Sequence, residues 1–191
     1  SNCWEWIISY FGIARVGAVI NPVNTMLTPT EIKYVVNDCK AKAIITSSEK
    51  VSQIIDLKKE DKINFIISFG EAVKESISFN DLINNNMSQI DMPNVSSNDL
   101  STIGYTSGTT GHPKGAMQSH RAVILNGSMT SQMHMRNEKD IVVSALPCPH
   151  VYGNVVMTGM MMFGTKLVLH KVFDAPSIFK DIEKHLSLIH I

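Results

Sequence analysis

The chain has 191 residues, 44% hydrophobic and 18% charged, a composition that excludes a disordered tail and fits a folded globular protein. Its 17 basic and 17 acidic residues cancel to a formal net charge of zero, which excludes the basic footprint of a nucleic-acid-binding surface. The longest near-continuous apolar run, Val155 to Phe163, falls well short of the roughly 20 residues a membrane-crossing helix needs.

Apolar residues at Trp4, Ile7, Ile8, Phe11 and Ala14 keep a helical period that stops at Gly17, before a short strand expected near Ala18–Ile20. After the turn NPVN, Thr28 is placed to cap a helix, with Pro29 at its first position and Glu31 reaching back. That helix is expected to bury Ile32, Val35 and Val36. The buried strand AKAIITS, a helix over Lys50–Lys59 and the strand INFIISF follow. Asn84 to Asp99 is polar and reads as a loop, a seam between two structural parts.

Beyond the seam come a strand over Leu100–Tyr105, a glycine-rich loop, and a helix capped near Ser119 with Leu125, Met129 and Met133 on one face. The strand DIVVSALP, the helix GNVVMTGMMMF, the strand TKLVLH and a last helix capped by Asp174 complete the pattern. Strands alternating with helices predict an α/β fold with mostly parallel pairing. In open sheets of that kind, ligands bind at the carboxyl ends of strands, where the glycine loop would lie.

The cysteines, Cys3, Cys39 and Cys148, are odd in number and lack C-x-x-C spacing, so reduced thiols and a cytoplasmic compartment are expected. The opening SNCWEWIISYFG has neither the basic segment nor the cleavage site of a secretory signal.

The loop itself, GYTSGTTGHPKGAMQSH, carries glycines at 104, 108, 111 and 115 that let backbone N–H groups turn toward one point. Thr106, Ser107, Thr109 and Thr110 add hydroxyls and Lys114 adds a mobile ammonium, a donor set suited to a polyphosphate. A hydroxyl here can also ligate Mg²⁺, which usually stays with the phosphates. The run is not a Walker A loop, because Pro113 stands five residues after Gly108 and Gly115 follows Lys114. Nor does it hold the G-x-G-x-x-G of dinucleotide sites. A plain flexible linker fits poorly with a strand before it, a helix soon after, and Pro113-Lys114 inside.

The stretch YTSGTTGHPKGAMQSH resembles the phosphate-loop signature of the acyl-adenylate-forming (AMP-binding) enzymes: acyl-CoA synthetases, aryl-CoA ligases, luciferases and peptide-synthetase adenylation domains. Every fixed place of [YF]-[TS]-S-G-[TS]-T-G-x-P-K-G is filled, with His112 at the variable one. YFGIARVGAVINPVNTMLTPTEIKYVVNDCKAKAIITS and LPCPHVYGN are similar to the family's flanking segments. The resemblance implies a two-step chemistry, in which ATP converts a carboxylic acid to acyl-AMP and coenzyme A then takes the acyl group. It implies that Thr106, Ser107, Gly108, Thr109, Thr110, Gly111 and Lys114 hold the phosphates, with Thr109 helping to ligate Mg²⁺. It implies that His150 lies beside the reacting carboxyl group, with Tyr152 and Gly153 at the acyl site, and that Lys114 and His150 act in catalysis.

Cys148 and His150 would supply only two ligands, too few for a zinc site. Met157, Met160, Met161 and Met162 read as helix core rather than an acyl channel. Amino-acid-activating members carry a Phe-Asp pair near this point, whose acid holds the substrate ammonium; PCPHVYGN has no acid. A substrate lacking an ammonium, a fatty or an aromatic acid, is therefore expected, and the overall resemblance leans toward the fatty acyl-CoA synthetases. An aromatic-acid ligase, a luciferase-like member and a non-catalytic phosphate-binding module are the alternatives. Peripheral contact with a membrane stays compatible with the composition. The resemblance places residues 1–185 as an incomplete portion of the family's large N-terminal domain, lacking the adenine, ribose and hinge segments. Alone, this piece is expected to be inactive. Residues 186–191 are expected to be a truncation or a non-native tail, with apolar side chains left uncovered.

Overall fold

The helical period at the start of the chain is realised as Trp4–Arg15 (α1), but its inward stripe is Trp6, Ile7, Tyr10, Phe11 and Ala14. Trp4 and Ile8, expected on that face, are exposed, and Tyr10 is the buried residue. Tyrosine carries its own polar handle: its hydroxyl reaches Asn154 Oδ1 at 3.4 Å while its ring stacks on Trp6. In this computed structural model residues 2–60, 62–85, 91–106, 113–187 and 189–190 are described. They divide into a unit of residues 1–24, 94–104 and 116–191, and a second of residues 25–93 and 105–115.

The second unit begins with Pro29–Asp38 (α2), whose capping box forms as expected. The Thr28 hydroxyl accepts from the Glu31 N–H, and the Glu31 carboxylate accepts from the Thr28 N–H at 2.8 Å. Ala43–Ser47 (β1), Phe65–Phe69 (β2) and Ile77–Ser78 (β3) make a parallel sheet in the order β1-β2-β3, with Ala43 beside Phe65 and Ile67 beside Ile77. Between β1 and β2, a 3-10 turn at Ser48–Lys50 leads into Val51–Lys59 (α3). Val36, Val51, Ile54, Leu57, Ile63 and Ile66 close this unit's core. β3 and the helix Phe79–Asn85 (α4) have no counterpart among the expected elements, since a two-residue strand shows no period.

In the other unit, the strand expected at Ala18–Ile20 is a single parallel bridge from Ile20 to Thr102. Leu100–Thr106 (β4) and Lys114–Ser119 (β5) are hydrogen-bonded neighbours in a two-stranded sheet. The glycine loop therefore joins two strands, not a strand and a helix. KGAMQS does not show as a strand in the sequence because it combines a glycine with polar residues and has no alternating burial. His120–Met133 (α5) then starts at Ser119, whose hydroxyl accepts from the Ala122 N–H.

Ile141–Ser144 (β6) and Lys166–Leu169 (β7) pair in parallel around Val151–Phe163 (α6), which ends at Gly164 in the left-handed region. Met157 and Met160 are core residues of α6, whereas Met161 and Met162 are exposed. Leu125, Met129 and Met133 share one face of α5, and that face is exposed. Asp174 caps Ala175–His185 (α7), accepting from the Ser177 N–H at 3.1 Å. The helix has a stop: Leu186 takes the left-handed conformation and donates to Glu183 O. Ile189–His190 (β8) then extends the sheet to β7-β6-β8, with Ile189 beside Val142. Backbone pairing needs no recognisable side-chain pattern in two residues, and the Leu186 side chain stays exposed. Among the described residues no helix is long and apolar enough to cross a membrane.

Candidate functional site

Seven residues of strand bring the chain to Thr106, an exposed residue at the carboxyl end of β4. Ser107, Gly108, Thr109, Thr110 and Gly111, expected to hold phosphate, lie outside the described residues, as does His112. The chain re-enters at Pro113, and Lys114 is the first residue of β5. The Lys114 ammonium is exposed and makes no hydrogen bond or ion pair to any described residue. The structure thus brings Thr106 and Lys114 to the ends of paired strands, an alcohol and an unspent cation, which fits an anionic polyphosphate group.

The strand that delivers the loop is pinned from behind. The Tyr105 hydroxyl donates to Asp38 Oδ2 at 2.5 Å, a bond to an ionised acceptor and so among the strong kind. Burial, then the Asp38 bond, pushes the Tyr105 pKa up, which keeps the donor proton in place at any ordinary pH. Asp38 is the last residue of α2, 67 positions away, and the sequence offers no signal for this pairing.

His150 is not merely at a strand end; it is the N-cap of α6. Its Nδ1 accepts from the Tyr152 N–H at 3.3 Å, its own N–H donates to Pro147 O at 2.9 Å, and its carbonyl accepts from the Asn154 N–H at 2.9 Å. An accepting Nδ1 carries no proton, so the neutral ring carries it on Nε2. The side chain is exposed, leaving Nε2–H able to donate to an anionic oxygen. The structure places Tyr152 and Gly153 in the same first turn, Tyr152 with 42% of its surface exposed and Gly153 buried. A Cβ on Gly153 would lie 2.2 Å from Pro147 O, so the bare glycine is what lets the turn before His150 close onto the helix.

Cys148, two residues earlier, is sealed against solvent, and burial pushes its thiol up to about 11. It is inert as a nucleophile at neutral pH. Among the described residues no group of three or more His, Cys, Asp or Glu is arranged to hold a metal. His150, Tyr152 and Gly153 belong to one unit, Thr106 and Lys114 to the other.

The family model described as AMP-binding enzyme matches residues 1–187. Among curated relatives, 4-coumarate–CoA ligase 2 of Solanum tuberosum is 25% identical over 190 residues, covering 96% of this chain and 34% of the relative. The long-chain-fatty-acid–CoA ligase of Escherichia coli O6:H1 is 27% identical over 216 residues, covering 96% and 38%. The fold matches the solved long-chain-fatty-acid-CoA ligase of Archaeoglobus fulgidus with a TM-score of 0.88 at 21% identity, over 99% of this chain and 37% of that one. The chain spans about a third of the length of the curated relatives it matches.

Proposed function

Because the chain belongs to the AMP-binding enzyme family, we propose that its protein uses ATP to activate a carboxylic acid and then passes the acyl group to the thiol of coenzyme A. The observation that carries this reading is the unbroken loop signature from Tyr105 to Gly115, set between two strands and ending on an unspent Lys114 ammonium. In the first step a carboxylate oxygen bonds to the α-phosphorus of ATP, the bond to the bridging oxygen breaks, and pyrophosphate leaves. Two anions must meet as a third departs, so catalysis is mostly positioning and charge neutralisation.

On this reading Thr106, Ser107, Gly108, Thr109, Thr110 and Gly111 cradle the phosphates and Lys114 offsets their charge. Thr109 would hold the Mg²⁺ that neutralises phosphate oxygens when bound. His150 presents Nε2–H to an oxygen of the carboxyl or α-phosphate group, and Tyr152 walls the acyl site beside Gly153. The acid is one without an ammonium group, for which PCPHVYGN offers no carboxylate partner. An aliphatic, fatty acid is the favoured substrate; the likeness to a coumarate ligase keeps aromatic acids as the second reading.

The test is ATP–pyrophosphate exchange by the full-length protein against a panel of fatty and aromatic acids. Lys114→Ala should lower the exchange rate about 100-fold or more. Exchange unchanged by that substitution would end the reading.

A further inference from the structure

The crossing of α5 and α6 contains a buried charge whose donors are unmet. Arg136, just beyond α5, is 4% exposed, and none of its three guanidinium nitrogens has a hydrogen-bond partner among the described residues. Ser131, fully buried two residues before the end of α5, has an Oγ with no partner among the described residues as well. Both groups stand over the same point of α6. A Cβ built on Gly159 would lie 2.1 Å from Ser131 Oγ and 3.5 Å from Arg136 Nη1. Asp140 acts on the guanidinium through its charge but makes no ion pair with it; its Oδ2 accepts from the Asn137 N–H and Nδ2 at 2.9 and 3.1 Å. Tyr152, two turns up α6 from Gly159, is the other group whose charge would act on Arg136, and it reaches the surface.

A buried charge whose hydrogen-bond donors are left unmet costs stability. Arginine cannot escape that cost by losing its proton, even though burial lowers its pKa. A hydrocarbon side chain would fill the same space without the cost. A local rule broken in this way, with buried donors that no described residue meets, marks a place where function sets the residue. A planar fork of N–H donors beside a hydroxyl is the donor set for an oxyacid group held by two oxygens.

We propose that Arg136 and Ser131 form a subsite for a second acidic group on the acid substrate, reached past Tyr152. This rests on the reading that Tyr152 walls the acyl site, and it narrows that reading to aliphatic acids with a carboxylate at each end. The reacting carboxyl group stays at His150 while the distal one meets the guanidinium as Tyr152 rotates aside. Arg136 is a specificity-determining residue; it takes no part in the bond changes at phosphorus.

The experiment compares monocarboxylic and α,ω-dicarboxylic acids of equal length in ATP–pyrophosphate exchange by the full-length protein, alongside thermal unfolding. The unaltered protein should prefer the dicarboxylic acid by about 100-fold in kcat/KM, since a monoacid leaves the guanidinium unpaired. Arg136→Met should abolish that preference, keep exchange with the monoacid, and raise the Tm. Arg136→Lys should restore part of the preference. A monoacid preference in the unaltered protein overturns the subsite alone. So does an Arg136→Met protein with a lowered Tm and an unchanged ratio, or one altered only in its KM for coenzyme A. Failure of every acid to support exchange removes the enzyme reading and the subsite with it.

Discussion

Gly153 shows how much a single missing methyl group can decide. Ordinarily alanine is the better helix former by about 1 kcal/mol. Here an added Cβ meets the Pro147 carbonyl oxygen at 2.2 Å and its carbon at 2.8 Å, and backbone cannot swing aside as a flexible side chain would. The clash wins, so Gly153→Ala should destabilise the protein by about 1–3 kcal/mol in denaturant unfolding. A stabilised variant would show that the turn before His150 does not close on α6 as described. His150 belongs to the same turn, and its capping bond to the Tyr152 N–H adds to the sequence reading a defined tautomer. The pattern Pro-x-x-His-x-Tyr-Gly was legible in the sequence. That its glycine serves packing and its histidine caps a helix was not, because both facts depend on where Pro147 lies.

At the scale of elements, α2 is the helix whose start was readable letter by letter, and its capping box carries a pH signature. The Thr28 backbone N–H, then its hydroxyl, hold the Glu31 carboxyl below its ordinary value of 4.5. A depressed folded pKa means the stabilisation is fully present above the unfolded value and is lost as pH falls through the folded one. The stability gap between the unaltered protein and Glu31→Gln should therefore be constant at neutral pH and narrow on acidification below the ordinary carboxyl range. A gap that stays constant to the lowest pH at which the fold survives would contradict the box. Other elements were harder to read. β5 lacks the alternation of a half-buried strand, and β3 and β8 are too short to have one. The period of α1 marks the helix and puts Ile7, Phe11 and Ala14 inward as found, but Trp6 and Tyr10 take the places expected of Trp4 and Ile8, since Tyr10 counts as polar until its hydroxyl finds Asn154.

Across the whole molecule, specific side-chain hydrogen bonds tie distant segments together. The Asn2 side chain accepts from the Cys148 N–H at 2.8 Å and donates to the Leu146 and His170 carbonyls at 2.9 and 3.0 Å. Tyr105 reaches Asp38 across 67 positions. Cys148 lies under the first of these ties, 2% exposed, with its thiol raised to about 11 by burial. It should resist a thiol-specific reagent at pH 8 while partly exposed Cys39 reacts, and should be labelled only at the rate of global opening. Labelling of Cys148 as fast as Cys39 in the native protein would show that this region opens independently.

The sequence by itself determined the α/β class with mostly parallel pairing, the capped starts of α2, α5 and α7, and the phosphate-loop signature with its family. These are local properties: a cap needs four consecutive residues, a period needs one element, and a signature needs one loop. Only the tertiary structure decided that the loop joins two strands, that Asp38 anchors Tyr105, that His150 Nδ1 caps α6, and that Arg136 is shut in beside Ser131 with its donors unmet by any described residue. Each of these depends on groups from separate segments meeting in space, and burial and electrostatic pairing act through distance, not through position along the chain.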